Sequence, residues 1–357
     1  MERSDNLLEM LELMARPAFA VKDGTLIYAN DAAVHCLFTP GICVTDLLIT
    51  GAEEYSALEA GCLYLTLEKD DCRWDACVTP MDGFDVFLLE QPKVQPELQA
   101  VALAARDLRV PLSNIMITAQ RLLTELDAND AETQKQAAQL NHNLHKILRL
   151  VGNMSDAAGY GAQTMPRSEL RDITAVIGEI FEKAAALAEH SGKTLRFTNA
   201  VQSVICLTDA EKLERGIYNM LSNALKNTPA GGIIEAQLTH RGKDLQLTVR
   251  DSGSGIADSV LPNIFSRYLR TPGLEEPNQG IGLGMVLIRS AAAAHGGTVL
   301  VRRMPDGGTS ITMTLAIRKK TDSTLTSPIL HMDYAGGFDH ALMELADVLP
   351  PELYQPK

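Results

Sequence analysis

Four stretches of this chain combine residue types and spacings that can do chemistry. In "NMLSNALKN", Asn219 and Asn223 stand four residues apart, so both carboxamides lie on one helix face, with Lys226 and Asn227 beside them. A carboxamide oxygen is a hard ligand suited to Mg²⁺, and an ammonium suits phosphate. In "RDSGSGI", Asp251 ends an alternating apolar run and enters a turn with Gly253 and Gly255. A carboxylate there can accept the exocyclic amine of an adenine, and the glycines let backbone approach the ring. In "GIGLGMVLIRS", Gly280, Gly282 and Gly284 run into a helix, whose first N–H groups suit phosphate. The fourth stretch, "AARDLRVPLSN", sets Arg106 and Asp107 ahead of Arg109 and Pro111 on an otherwise apolar helix. Taken singly, each has a plainer reading: a solvated face, an Asp-rich turn, a glycine loop or a surface charge pair.

The elements that must position these residues fall into four segments. Residues 1–92 alternate short apolar runs with turn signals at Asp23-Gly24 and Asp82-Gly83, predicting antiparallel strands behind one amphipathic helix. Residues 93–160 are rich in Ala, Leu and Gln. The stripe Leu98, Val101, Ala105, Leu108, Leu112, Ile115, Ala119, Leu122 and Leu126 alternates steps of three and four, and Leu140, Leu144, Ile147, Val151, Met154 and Ala158 form a second stripe. The two predict an antiparallel helical hairpin. One hairpin covers its own seam poorly, so two are expected to pair as a four-helix bundle in a homodimer. Residues 161–320 mix helices at 169–190 and 208–227, the second with a Thr208/Glu211 capping box, with strands at 231–240, 244–251, 297–304 and 309–317. This is an α/β sandwich of antiparallel character. Residues 321–357 are a polar linker and one short amphipathic helix, whose apolar positions Phe338, Leu342, Leu345, Val348 and Leu349 suggest docking on a folded surface. The fold class is therefore α+β and multidomain.

In this order and with these flanks, the motifs resemble the ATP-binding domain of histidine kinases, in the superfamily shared with gyrase-type ATPases. "IFSRYLR" at 264–270 is similar to the family's phenylalanine box, "TPGLEEPNQ" at 271–279 stands where the mobile ATP lid belongs, and "GGTSITMTLAI" closes the fold. The resemblance implies that Asn219, Asn223, Lys226, Asn227, Asp251, Gly253, Gly255, Gly280, Gly282 and Gly284 bind ATP, with Mg²⁺ on Asn223. Gyrase-type enzymes carry a glutamate four residues before the metal-binding asparagine, as base for water. Asn219 stands there and cannot deprotonate water. The expected chemistry is phosphoryl transfer to a protein side chain. His295, in "AHGG", matches a structural position of the family.

The hairpin resembles the dimerisation and phosphoacceptor domain of the same kinases, and "ARDLRVPL" aligns with their S-H-E-L-R-T-P-L. Arg106 takes the place of the phosphoacceptor histidine, one step past the seam residue Ala105. A guanidinium stays protonated and delocalised at neutral pH and cannot attack a γ-phosphoryl group. Val110 replaces the residue that positions water for dephosphorylation. Asp107 keeps the place of the acidic base, free to pair with Arg106 or Arg109. Residues 5–90 resemble a PAS sensor, with Asn30 opening a helix after the second strand; Trp74, His35 and the cysteines are candidates for a pocket, with core packing favoured for Trp74 and the cysteines. The leading expectation is a two-component sensor homologue that binds MgATP, degenerate in autophosphorylation, with a response regulator or a partner kinase as partner. One alternative is an active kinase using His142 or His145, read at outward heptad positions, or an acceptor on another protein. Another is a nucleotide-independent dimeric scaffold.

Bulk properties exclude other classes. The net charge of −13 opposes binding to nucleic acid or anionic lipid over the whole surface. There is no apolar run of membrane-spanning length, and the mixed N-terminus is no signal peptide, so the expected location is cytoplasmic. The six cysteines have no zinc spacing and are expected to be free thiols; Cys72 and Cys77 are the candidates for any redox or metal role.

Overall fold

The computed structural model describes residues 2–91, 96–124, 131–159, 168–257, 259–265, 282–318 and 337–355. The first module has helix α1 (Glu2–Glu12), strands β1 (Ala18–Lys22) and β2 (Thr25–Ala29), short helices α2 (Asp31–His35) and α3 (Ala52–Ser56), and strands β3 (Cys62–Lys69), β4 (Cys72–Met81) and β5 (Phe84–Glu90). Asp23-Gly24 and Asp82-Gly83 both take positive φ and close the β1–β2 and β4–β5 hairpins. The β3–β4 hairpin turns on Asp70 and Asp71, at φ 50° and 60°, without a glycine. Asn30 caps α2 by accepting from the Ala33 amide, and its own amide donates to the carbonyls of Leu11, Met14 and Arg16. Trp74 packs edge-on to Phe38 at 5.5 Å in the module's core, while His35 is exposed.

Two long helices follow, α4 (Pro96–Thr124), which runs through Pro111, and α5 (Ala131–Gly159). The predicted seam of α4 splits. Ala105 and Met116 are buried, and Leu112 and Ala119 pack inward, whereas Leu108, Ile115 and Leu122 are 51 %, 53 % and 60 % exposed in the single chain. One helical row meets α5, and the other row is exposed among the described residues. Met116 is a core residue absent from the predicted stripe. Leu126 and the side chains of Leu98 and Ala158 lie outside the described residues.

The third module contains β6 (Glu169–Asp172), α6 (Ile173–Glu189), β7 (Thr194–Asn199), β8 (Ile205–Thr208), α7 (Ala210–Asn227), β9 (Ile233–Arg241), β10 (Asp244–Asp251), α8 (Gly284–Ala294), β11 (Val299–Arg303) and β12 (Thr309–Ala316). Two local expectations are corrected. Residues 169–172 are a strand paired with β8 rather than the start of a helix, because Asp172 caps α6 through the amides of Thr174 and Ala175. Hydrogen bonds from the Ser203 and Thr174 hydroxyls hold the Asp172 carboxyl down at about 2. The cap of α7 is Asp209, accepting from the Lys212 amide, while the Thr208 hydroxyl donates to the Cys206 carbonyl.

The strands of the first and third modules share one sheet of ten, in the order β2-β1-β5-β4-β3-β11-β12-β10-β9-β7. Its joint is the antiparallel pairing of Val299, Leu300 and Val301 with Tyr64, Leu63 and Cys62. Gly61, at φ 98°, sits where a Cβ would lie 2.3 Å from the Val301 carbonyl oxygen. Tyr64 is fully buried among residues of the third module's core, 5.8 Å from Phe265, and the buried Arg289 guanidinium lies over its ring at 5.7 Å. Arg289 also pairs with Glu90 at 3.0 Å.

The C-terminal segment forms α9 (His340–Glu344) and a 3₁₀ turn at Pro351–Tyr354, two short pieces in place of the single predicted helix. It lies over α5 and α7 with Leu345, Ala346, Leu349 and Tyr354 buried. All six cysteines are free thiols. Cys72 and Cys77 are five residues apart on β4 and so face opposite sides of the sheet, which removes them as a pair. The Cys77 thiol instead meets Cys62, which raises Cys62 and lowers Cys77.

Candidate functional site

Helix α7 is amphipathic, and its buried face carries polar groups at helical spacing. Gly216 allows close crossing with α8: a Cβ there would stand 2.5 Å from that of Ala291. The crossing brings the N-terminus of α8 against the two asparagines. A Cβ added at Gly284 would lie 3.2 Å from Asn219 Oδ1 and 3.7 Å from Asn223 Oδ1. Both carboxamide oxygens thus converge on the first residue of a helix, where N–H groups have no intrahelical acceptor.

The two asparagines are not equivalent. Asn219 is buried, and its amide donates to the Arg215 carbonyl at 2.8 Å. Asn223 is half-buried, and its amide meets Met285 Sδ at 3.4 Å. Asn223 is the one placed to offer oxygen to a ligand. Asn227 extends the same end of α7, donating to the Asn223 carbonyl at 2.8 Å.

Asp251 ends β10 beside this helix end. Its Oδ1 accepts from the Gly253 amide at 2.9 Å, and Thr309 adds its amide and hydroxyl. Burial raises the carboxyl above its ordinary value, against those hydrogen bonds. Glycines are required around it by space as well as by φ. A Cβ at Gly253 would lie 2.2 Å from the Asn227 carbonyl oxygen, and one at Gly308 would lie 1.9 Å from that of Asp251. Gly255 and Gly282 hold φ of 77° and 75°. Thr309 and Gly308 are site residues that no motif of the sequence marks; they belong to the "GGTS" stretch that closes the fold. Gly280, the lid stretch 271–279 and residues 266–270 of the phenylalanine box lie outside the described residues.

His295 is buried and structural: its Nδ1–H donates to the Ala291 carbonyl at 2.8 Å, and its Nε2 accepts from the Asp209 amide at 3.1 Å. Desolvation lowers its pKa. On the hairpin, Arg106 and Asp107 are both exposed on α4, and no ion pair joins Asp107 to Arg106 or Arg109 among the described residues. Arg109 turns inward instead. A Cβ at Gly152 of α5 would lie 3.5 Å from Arg109 Nη2 and 3.0 Å from Arg215 Nη2.

His142 and His145 are not outward. Both are buried beneath the C-terminal segment, with His142 Nε2 donating to the Ala346 carbonyl at 2.7 Å and Tyr354 packed on both rings at 4.7 and 4.8 Å. A helix face read from spacing alone does not disclose which distant segment covers it. Lys226 is likewise engaged, its ammonium 3.2 Å from Asp347 Oδ2, and desolvation lowers its pKa. Glu344, Asp347 and their partners Arg149 and Arg215 carried no sequence signal, because the ion pairs join residues 129 and 198 positions apart.

Residues 208–319 match the family model of the histidine kinase-, DNA gyrase B- and HSP90-like ATPases. The chain is 31 % identical over 203 residues to the sensor histidine kinase CusS of Escherichia coli O6:H1, covering 55 % of this chain and 41 % of that protein. It is 32 % identical over 214 residues to the sensor histidine kinase TmoS of Ectopseudomonas mendocina, covering 58 % and 22 %. The sensor-like histidine kinase SenX3 of Mycobacterium tuberculosis is 27 % identical over 226 residues, covering 61 % and 52 %. The chain thus spans about half or less of the length of these relatives. Among solved structures, full-length ShkA in complex with AMPPNP aligns with a TM-score of 0.50 at 22 % identity, over 62 % of this chain and 46 % of that one, which is a likeness of fold. No helix among the described residues is long and apolar enough to cross a membrane. Residues 208–319 are similar to the ATP-binding domains of the histidine kinase-, DNA gyrase B- and HSP90-like ATPases, in a chain similar to sensor histidine kinases.

Proposed function

We propose that this protein is a cytoplasmic, dimeric sensor histidine kinase homologue that binds MgATP and is degenerate in autophosphorylation. One observation carries the nucleotide reading. Asn219 and Asn223 point their carboxamides at the glycine opening α8, beside an Asp251 carboxylate held in a glycine cradle. The residues fit both groups: a half-buried carboxamide oxygen on Asn223 suits Mg²⁺, a partly buried carboxylate on Asp251 suits an adenine amine, and Lys226 and Asn227 suit phosphate. Bound MgATP would supply the transferable phosphoryl group. Asn219, buried and hydrogen-bonded as an amide, offers no base for water.

The degenerate reading rests on Arg106. It is exposed on α4, yet it carries no lone pair fit for attack. The burial of His142 and His145 under the C-terminal segment counts against either as substitute acceptor. The exposed row Leu108, Ile115 and Leu122 supports a homodimer through the hairpin, which is also where a response regulator or partner kinase would dock. The strand order β2-β1-β5-β4-β3, with a capped helix after β2, supports a PAS-like sensor at the front.

The test is incubation with γ-labelled MgATP of the wild type, Arg106→His, and Arg106→His with Asp251→Ala. The expected result is acid-labile label on Arg106→His alone. Loss of the hydrogen-bonded carboxylate should weaken MgATP binding roughly ten- to a hundredfold. Acid-labile label on the wild type overturns the degenerate reading, and failure of every form to bind MgATP overturns the nucleotide reading.

A further inference from the structure

The C-terminal segment brings two carboxylates to three cations on two different modules. Glu344, fully buried, lies between Arg215 of α7, 3.2 Å from its Oε1, and Arg149 of α5, 3.6 Å from its Oε2. Asp347 takes Arg149 at 2.5 Å and Lys226 of α7 at 3.2 Å. Around these pairs, Met343 and Phe338 join Leu144, Leu148 and Met116 of the hairpin, and Leu345 and Leu349 join the core of the ATP-binding domain. Tyr354 closes the far end over His142 and His145, its hydroxyl donating to the Leu342 carbonyl at 2.7 Å.

We propose that residues 338–354 are an autoinhibitory strap that holds the ATP-binding domain against the hairpin and competes with a nucleotide polyphosphate for Lys226. The proposal rests on the reading of Lys226 as a phosphate contact. Lys226 follows Asn223 by three residues on α7, and the next residue, Asn227, abuts the Asp251 turn at Gly253. An anion arriving at Asn223 therefore meets an ammonium already engaged by Asp347, and the Asp347 charge repels it. Carboxylate and phosphate are both anions drawn to the one ammonium, and because coupling is reciprocal each weakens the other's binding by the same factor. Departure of the strap also removes Glu344 from between Arg149 and Arg215, while Arg215 keeps Asp156 and Asn153 of α5. Like charges then loosen the contact between α5 and α7. The strap thus couples nucleotide occupancy to the contact between hairpin and ATP-binding domain.

The experiment uses the full chain as wild type, Asp347→Asn and Leu345→Asp, the last to undock the segment by placing a charge in its core. MgATP affinity is measured by calorimetry, and amide hydrogen exchange of residues 341–354 with and without saturating MgATP. The expected result is an affinity about tenfold tighter in both variants, with strap amides exchanging faster when MgATP is present. Equal MgATP affinity in all three forms, or strap exchange indifferent to MgATP, overturns the strap while leaving the nucleotide site standing. Absence of MgATP binding in all three forms overturns both.

Discussion

The ATP-binding domain is joined to the rest of the chain on two sides, by different physics. At the β3–β11 joint, backbone ladders continue one sheet into the next, and Tyr64 enters the neighbouring core with Phe265 and Arg289 around it. At the C-terminal segment, the joint has apolar flanks but turns on Glu344, Asp347 and three cations. A continuous sheet with an aromatic core contact opens only at the cost of unpaired backbone and exposed ring. An ionic joint opens when another anion, or a proton, takes one side of it. The first suits permanent attachment, and the second suits a contact that responds.

The largest effect expected from this contrast is at the sheet joint. Tyr64→Ala removes a fully buried ring from the shared core and its hydroxyl from Asp75, which it meets at 2.8 Å. The cost should be about 3–5 kcal/mol. Calorimetry should show a lowered unfolding midpoint with the front module melting apart from the ATP-binding domain. A loss under about 1 kcal/mol would mean that the joint is not part of the core.

A smaller global effect is expected at the ionic joint. With the segment docked, Glu344→Ala would leave two guanidinium groups buried without their shared carboxylate, at about 3–5 kcal/mol. The chain has a cheaper response, which is to release the segment. The measured loss in global stability is then capped by the docking energy, and amides of residues 342–349 should lose hydrogen-exchange protection while β9 and β10 keep theirs. Equal loss of protection in both places would mean that the two joints are one cooperative unit.

The difference between the joints also separates what could be read in the sequence from what could not. The nucleotide motifs were legible because each is local: Asn219 and Asn223 share a face by spacing, Gly253 stands where a backbone oxygen leaves no room for a Cβ, and a Cβ at Gly284 would crowd the Asn219 carboxamide. The Asp-Gly hairpins were legible for the same reason. Pairing of Leu63 with Leu300 joins positions far apart in the chain, and nothing in either strand names the other. The hairpin histidines were misread because 3.6 periodicity locates a face without its cover, and the cover lies some 200 residues away. The apolar stripe of α4 was legible too, but spacing does not say which of its rows meets α5, and the row at Leu108, Ile115 and Leu122 is exposed in the single chain.

Protons should act on the ionic joint. Docking holds both histidines neutral: burial pushes His142 and His145 below their ordinary 6.5. His142 faces Lys146, Asp347 and Glu352, and His145 faces Asp339 and His142. With the segment released, both rings meet water and bind protons near 6.5. The released state therefore binds more protons as pH falls below 6.5. Docking is fully favourable above that value and weakens below it, by up to about 1.4 kcal/mol per pH unit for each ring until the docked pKa is reached. Asp347, held low by Arg149 and Lys226 against burial, stays ionised through this window. With the intrinsic pH dependence of amide exchange divided out, protection of the strap amides should fall between pH 7 and 5 in the wild type. The dependence should flatten in His142→Gln with His145→Gln; an unchanged slope in that variant would assign it elsewhere.

The smallest effect on folding is expected where the largest effect on chemistry is sought. Arg106 is exposed on α4 and joins no ion pair with Asp107 among the described residues, so Arg106→His should shift stability by no more than about 0.5 kcal/mol. The same substitution exchanges a protonated, delocalised guanidinium for an imidazole whose free nitrogen can attack phosphorus. Any gain of acid-labile label in this variant is therefore a gain of nucleophile, not of folding. The strap adds a condition to that gain. If docking restrains the ATP-binding domain, Arg106→His combined with Asp347→Asn should label faster than Arg106→His alone. Equal rates would place the restraint on nucleotide affinity alone, and would divide the strap's two roles between Lys226 and the Arg149–Glu344–Arg215 bridge.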